Sequence, residues 1–196
     1  TTDAVAFRVE SDLVRDGNLS VGVAFPYGSE VMRSNGADWR RPAEHTTTIV
    51  GSSTSPLGAN ALLQRVLDDD SYVVNVSVEA DVAAAAPPSI DAVGPHAYRL
   101  SAGRGGAVLS GSVAFALRGR AMLMPSFEEA VSASAAAWEE FWMSGGAVDL
   151  AGSSDARAAE LEGRLVMSQW AARVQEAGTL PPAETGLTGN SWYGKF

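Results

Sequence analysis

The residues best suited to chemistry lie late in the chain, where Glu184, Asn190, Trp192, Tyr193 and Lys195 fall within one stretch, 178–196. Trp192 and Tyr193 could lay an aromatic plane against the apolar face of a pyranose, or could anchor the segment itself. Asn190 and Lys195 could donate hydrogen bonds to sugar hydroxyls, or bond within the loop and face solvent. Glu184 is the only carboxylate in the stretch. Glycosidic-bond hydrolysis needs two carboxyl groups, about 5–5.5 Å apart for retention or roughly 6.5–9.5 Å for inversion. Glu184 has no visible partner, and a backbone hydrogen bond beside Pro181-Pro182 is its other reading. A second group, Asp38, Trp39 and His45, occupies a long irregular stretch, 26–45, of the kind on which binding residues are commonly carried.

Other chemistries find no support. There is no cysteine, which removes thiol nucleophiles, thiolate metal sites and disulfides. His45 and His96 are far apart in sequence, with no acidic cluster joining them, so no metal site is expected. No Gly-x-Ser-x-Gly elbow occurs, and the glycines of 101–106 lack the lysine and the strand-to-helix setting of a phosphate loop. No organic cofactor is expected. The net charge of −9 and pI of about 4.6 argue against nucleic acid and anionic membranes as partners. No run approaches a membrane span, and the compartment stays open. The opening Thr-Thr-Asp-Ala-Val is neither a signal peptide nor an initiator methionine, and the expectation is a trimmed front end.

Most of the chain alternates with period two. Val5, Phe7 and Val9 make a strand; Leu19, Val21, Val23 and Phe25 make a second; Asp16-Gly17-Asn18 between them predicts a β-hairpin. A short strand is expected over 46–50. The segment 61–67 is ambiguous between helix and strand and leans to strand, because Asp68-Asp69-Asp70-Ser71 turns directly into Val74, Val76 and Val78. After a connection at 83–88, strands follow at Tyr98-Arg99-Leu100 and over Leu109, Val113, Phe115 and Leu117. Seven or eight short strands without helical crossovers predict an antiparallel β-sandwich. The period then changes. Ser126 and Glu129 form a capping box before Phe127, Val131, Ala135, Trp138 and Trp142, and Gly145-Gly146 ends that helix. A second helix is expected from Ser154-Asp155 to Gly178. Trp138, Phe141, Trp142 and Trp170 read as packing residues.

Trp138-Glu-Glu-Phe-Trp142, Gly145-Gly-Ala-Val-Asp-Leu150, the 160–169 helix, Leu180-Pro-Pro-Ala-Glu-Thr-Gly-Leu-Thr188 and Asn190-Ser-Trp-Tyr-Gly-Lys-Phe196 resemble the six-hairpin glycosidase superfamily. More narrowly, they resemble bacterial proteins related to glycoside hydrolase family 65. The match is most specific over 138–196; in the β-rich part Arg8–Asp12, Phe25–Gly28 and Asp38-Trp39 fit best. The resemblance implies a β-sandwich over 1–122, a helical linker over 123–152, and the opening of an (α/α)6 barrel over 153–196. It implies a glycosidase or disaccharide phosphorylase as parent, using carboxylates of the barrel beyond this chain. It also implies that Asp38, Trp39 and His45 can reach over a barrel mouth. Rival readings are a free-standing carbohydrate-binding module and a purely structural one. The expected partners are carbohydrate and the remainder of the barrel, present as a second chain or replaced by self-association that covers an exposed apolar helical stripe.

Overall fold

The computed structural model describes residues 3–28, 37–119 and 122–178. Among the described residues eight strands form two antiparallel sheets, followed by helices. The strands are β1 (Asp3–Glu10), β2 (Val21–Ala24), β3 (His45–Ser55), β4 (Gly58–Leu67), β5 (Asp70–Glu79), β6 (Ser89–Gly94), β7 (Ala97–Ser101) and β8 (Val108–Leu117). One sheet has the order β1-β8-β5-β4-β3 and the other β2-β7-β6. Contacts divide the chain into two compact units, one of described residues up to 133 and one from 134 to 178.

In the first unit both sheets feed one core. Leu63 of β4, Val74, Val76 and Val78 of β5 and Leu109 of β8 meet Tyr98 and Leu100 of β7, together with Phe25. Each is buried, and a fully buried Val, Leu or Phe contributes roughly 1.5–3 kcal/mol relative to exposure. The alternation of β5 thus reads correctly, and 61–67 is indeed strand. The inward row expected of β8 surfaces at its end, where Phe115 and Leu117 are exposed. The short strand expected over 46–50 runs on to Ser55.

The predicted hairpin of the first two strands does not form. β1 pairs with β8, and β2 pairs with β7 in the other sheet. Between them Ser11 caps a one-turn helix, α1 (Asp12–Arg15), accepting from the Leu13 amide, and α1 buries Val14. Gly17, at φ 74°, then releases the chain into the second sheet. Alternation identifies a strand but not its partner, and the apolar Val14, just ahead of the supposed turn, is what ties this connection to the core.

Gly111 in β8 has an expected consequence of its own. A Cβ at this position would fall on the Ser77 carbonyl oxygen of β5 and within 3.1 Å of Phe7 Cζ. Backbone cannot yield as a side chain can, so Gly111→Ala should cost about 2–3 kcal/mol in urea unfolding. A loss below about 0.5 kcal/mol would show that β5 and β8 separate freely.

The first long helix begins as the sequence indicates. Ser126 N–H donates to Glu129 Oε2 at 2.8 Å, while Ser126 Oγ accepts from the Glu129 amide at 3.3 Å, completing the capping box of α2 (Phe127–Phe141). Glu79 of β5 accepts from the Phe127 amide at 2.9 Å and from Ser110 Oγ at 2.6 Å, and Arg8 pairs with Glu128 at 2.7 Å. A carboxylate on the first amides of a helix satisfies orphan donors and suits the dipole.

In the second unit, α2 ends in a wide turn, Trp142–Gly146, with Gly145 at φ 105°. α3 (Ala158–Glu176) starts a few residues later than expected. Trp138, Phe141 and Trp142 form a half-buried aromatic cluster with centroids 4.9–5.9 Å apart, and Arg173 of α3 lies 5.3 Å over Phe141. Trp170 is 48% exposed in this chain. No helix among the described residues is long and apolar enough to cross a membrane.

Candidate functional site

Glu184, Asn190, Trp192, Tyr193 and Lys195 lie outside the described residues. Asp38 and Trp39 lie within them, on the segment that leads into β3. What fixes this segment begins on β4. Its inward row runs Ala59, Ala61, Leu63 and then Arg65, so strict alternation carries a guanidinium into the core. Arg65 is 2% exposed.

A buried charge must be hydrogen-bonded, and Arg65 is. Nη1 donates to His45 Nδ1 at 2.6 Å and to Thr47 Oγ1 at 3.0 Å, Nη2 to the Pro26 carbonyl at 3.2 Å, and Nε to the Tyr72 hydroxyl at 3.2 Å. Phe25 and Tyr72 present ring faces 4.9 Å and 5.9 Å from the guanidinium carbon. No carboxylate is among these partners. The charge is held by aromatic faces and neutral acceptors, a planar arrangement that suits arginine and not lysine.

His45 is where the cluster meets the segment. Its Nδ1 accepts from Arg65, so the proton of the neutral ring sits on Nε2. Burial pushes its pKa down to about 4, and the neighbouring His96 and Arg65 add to the effect. His96 stacks on it, with ring centroids 3.8 Å apart and planes 26° from parallel. The two histidines, distant in sequence, are therefore neighbours in space. Three of their four ring nitrogens are nevertheless committed: His45 Nδ1 to Arg65, His96 Nε2 as donor to the Pro42 carbonyl at 2.8 Å, and His96 Nδ1 to Thr47 Oγ1 at 3.0 Å. Among the described residues no group of three or more histidines and carboxylates is placed to hold a metal. His96 adopts φ 54°, a left-handed conformation uncommon outside glycine and asparagine, held here by its two ring contacts.

Tyr27 supports the other end of the segment. Its backbone bridges to Asp38, with N···O distances of 2.8 and 3.2 Å, and its hydroxyl donates to the Asp68 carboxylate at 3.0 Å. That hydrogen bond, with burial behind it, raises the Tyr27 pKa. Arg41 lies 4.0 Å over the Tyr27 ring and pairs with Glu44. Asp38 accepts from Arg40 Nε at 2.9 Å, Nη2 at 3.2 Å and the Arg40 amide at 3.0 Å. Between these two charges stands Trp39, 62% exposed.

The arrangement can bind but is poorly placed to transfer protons. The guanidinium of Arg40 holds Asp38 below the usual carboxylate range, and that of Arg41 does the same for Glu44. A general acid needs the opposite shift. What remains is an aromatic face turned to solvent, flanked by ionised hydrogen-bonding groups, on a base that Arg65, His45, His96 and Tyr27 keep still. A separate cleft of about 540 Å³ lies wholly in the helical unit. No aromatic side chain lines it, its ion pairs being Arg157 with Asp155 at 2.8 Å and Arg164 with Glu160 at 2.6 Å, and neither Asp38 nor Trp39 takes part.

Reasoning from sequence missed Arg65, Thr47 and Tyr27. The signal for Arg65 was present: counting by twos from Ala59 through Leu63 reaches it. The left-handed turn that brings His96 to His45 leaves no comparable mark. No family model, curated protein or solved structure matches this chain.

Proposed function

We propose that this chain is the N-terminal portion of a carbohydrate-active protein of the six-hairpin glycosidase kind, in which a β-sandwich presents Trp39 to a sugar. The observation that carries the reading is Trp39 itself, a 62% exposed indole on an otherwise firmly bonded segment. The indole face suits the apolar face of a pyranose, while Arg40 and Glu44, whose side chains are 84% and 48% exposed, supply planar groups for its hydroxyls and Asp38 orients Arg40. The order of two antiparallel sheets, a helix and a second helix fits the plan of sandwich, linker and barrel opening. Exposed Leu161, Met167, Trp170 and Val174 on α3 suit burial against the rest of such a barrel, as a second polypeptide or a continuation.

Cleavage of the glycosidic bond, by water or by phosphate, belongs in this reading to barrel carboxylates, with no metal or organic cofactor. A non-catalytic carbohydrate-binding module is the second reading, favoured by one observation: Trp39 and the residues that support it, Tyr27, His45, Arg65 and His96, all belong to the strand unit, with no residue of α3 among them.

The test is a titration of mono- and disaccharides of both anomeric configurations, followed by calorimetry and by indole resonances. Trp39→Ala should weaken binding at least about tenfold, close to 1.4 kcal/mol. Its unfolding midpoint should stay unchanged, because so exposed a ring adds little to the core. Equal affinity in Trp39→Ala, or no saccharide bound by the wild type, would sink the proposal.

A further inference from the structure

The outer edge of the five-stranded sheet is β3, and among the described residues nothing pairs with its far side. Natural sheets protect such edges with charges, prolines or short strands. The other edges follow that rule. β1 carries Asp3, Arg8 and Glu10; β2 is four residues long; β6 carries Asp91 and a register shift at Ala92/Gly94. β3 does not. From Thr46 to Gln64 there is no Asp, Glu, Lys or Arg, in a chain whose net charge is −9. Every residue from 48 to 57 is exposed, including Ile49, Val50 and Leu57, the last at 88%. One interruption exists, a bulge at Val50 between the Ile49 and Gly51 pairings, beyond which 51–55 runs regularly against β4.

Charge decides what this edge can accept. An acidic molecule repels its own copies over most of its surface, and the neutral β3–β4 hairpin is a sector where two copies meet without like charges facing each other. An antiparallel pair of identical strands is self-complementary about a two-fold axis, so each free N–H meets a free C=O of the mate.

We propose that the protein self-associates through β3, two copies aligning residues 51–55 antiparallel about an axis near Ser53 to make one continuous sheet. The ladder is short, so the dimer is of the weak class that forms with rising concentration. The contact lies wholly on the strand unit and does not depend on the carbohydrate reading.

Sedimentation equilibrium of the full chain over a range of concentrations tests it. The wild type should move from 20.3 kDa toward twice that mass. Ser53→Lys places two ammonium groups opposite each other across the axis, and self-association should weaken at least about tenfold. Val82→Lys adds the same charge at a fully exposed turn position and should leave the dimer intact. Hydrogen exchange of the wild type should show amides within 51–55 gaining protection with concentration, which decides the matter even if Ser53→Lys folds poorly. A wild type that stays monomeric throughout overturns the proposal. So does a dimer equally weakened by Val82→Lys, or one that survives Ser53→Lys and is lost in Met167→Lys, which would place the contact on α3.

Discussion

Replacing Arg65 with alanine should destabilise the protein by about 3–5 kcal/mol, the range for breaking a buried charge network and leaving a cavity behind it. The side chain is among the largest that are fully buried, and its removal orphans four acceptors at once: His45 Nδ1, Thr47 Oγ1, the Pro26 carbonyl and the Tyr72 hydroxyl. At the low end of the usual total stability of roughly 5–15 kcal/mol, such a loss leaves a visible fraction unfolded in water. Arg65→Lys should recover only part of the loss, since one ammonium cannot replace a fork that reaches β3, β5 and the Pro26 backbone together. Urea unfolding reads both variants, with a lowered midpoint and an unchanged slope. Hydrogen exchange should rise over 37–47, because Arg65 holds that segment through His45 and Thr47. A loss below about 1 kcal/mol for Arg65→Ala would mean that the segment stands without its base.

The elements were legible where one local pattern decides them. Val74, Val76 and Val78 announce a buried face by spacing alone, and Ser126 with Glu129 announces a helix start because both hydrogen bonds lie within one turn. Pairing was not legible in the same way. Val5-Phe7-Val9 and Val21-Val23-Phe25 look like two arms of a hairpin, yet their partners, β8 and β7, lie far along the chain. The glycine turn between them is equally compatible with a crossing from one sheet to the other, and Val14 tips the balance by entering the core.

The site divides along the same line. Asp38 and Trp39 stood out as an acidic and an aromatic residue in a stretch without periodicity, and exposure of Trp39 agrees with that reading. The base beneath them was hidden because its members come from β3, β4, β5, the turn after β6 and the residues after β2. Only the three-dimensional register brings Arg65 opposite Thr47 and next to Tyr72. An arginine on an alternating strand reads by default as an outward residue, and the inward row of β4 shows itself only when Ala59 and Ala61 are counted with Leu63.

Stability should fall with acid across a window set by His45. The folded pKa is about 4 and the unfolded value about 6.5, so the unfolded chain binds the proton first. The contribution of the buried neutral ring is therefore complete above about pH 6.5 and declines as pH falls toward 4, by up to about 3 kcal/mol. The charged and titratable groups facing the ring explain the direction: Arg65 from β4 donates to its Nδ1, His96 stacks from the turn after β6, and Tyr27 approaches at 6.0 Å between centroids. Protonating Nδ1 would set two donors against each other at 2.6 Å inside the core. Carboxylates held ionised by hydrogen bonds, such as Asp81, act in the same direction at lower pH, so wild-type data alone do not isolate the ring. His45→Gln keeps an acceptor for Arg65 without a titrating group. Its urea midpoint, followed from pH 7 to pH 4, should fall less steeply than that of the wild type, the gap between the slopes approaching one proton. Parallel curves for the two proteins would show that His45 does not govern the acid limb, and would remove the pH dependence from the cluster that supports Trp39.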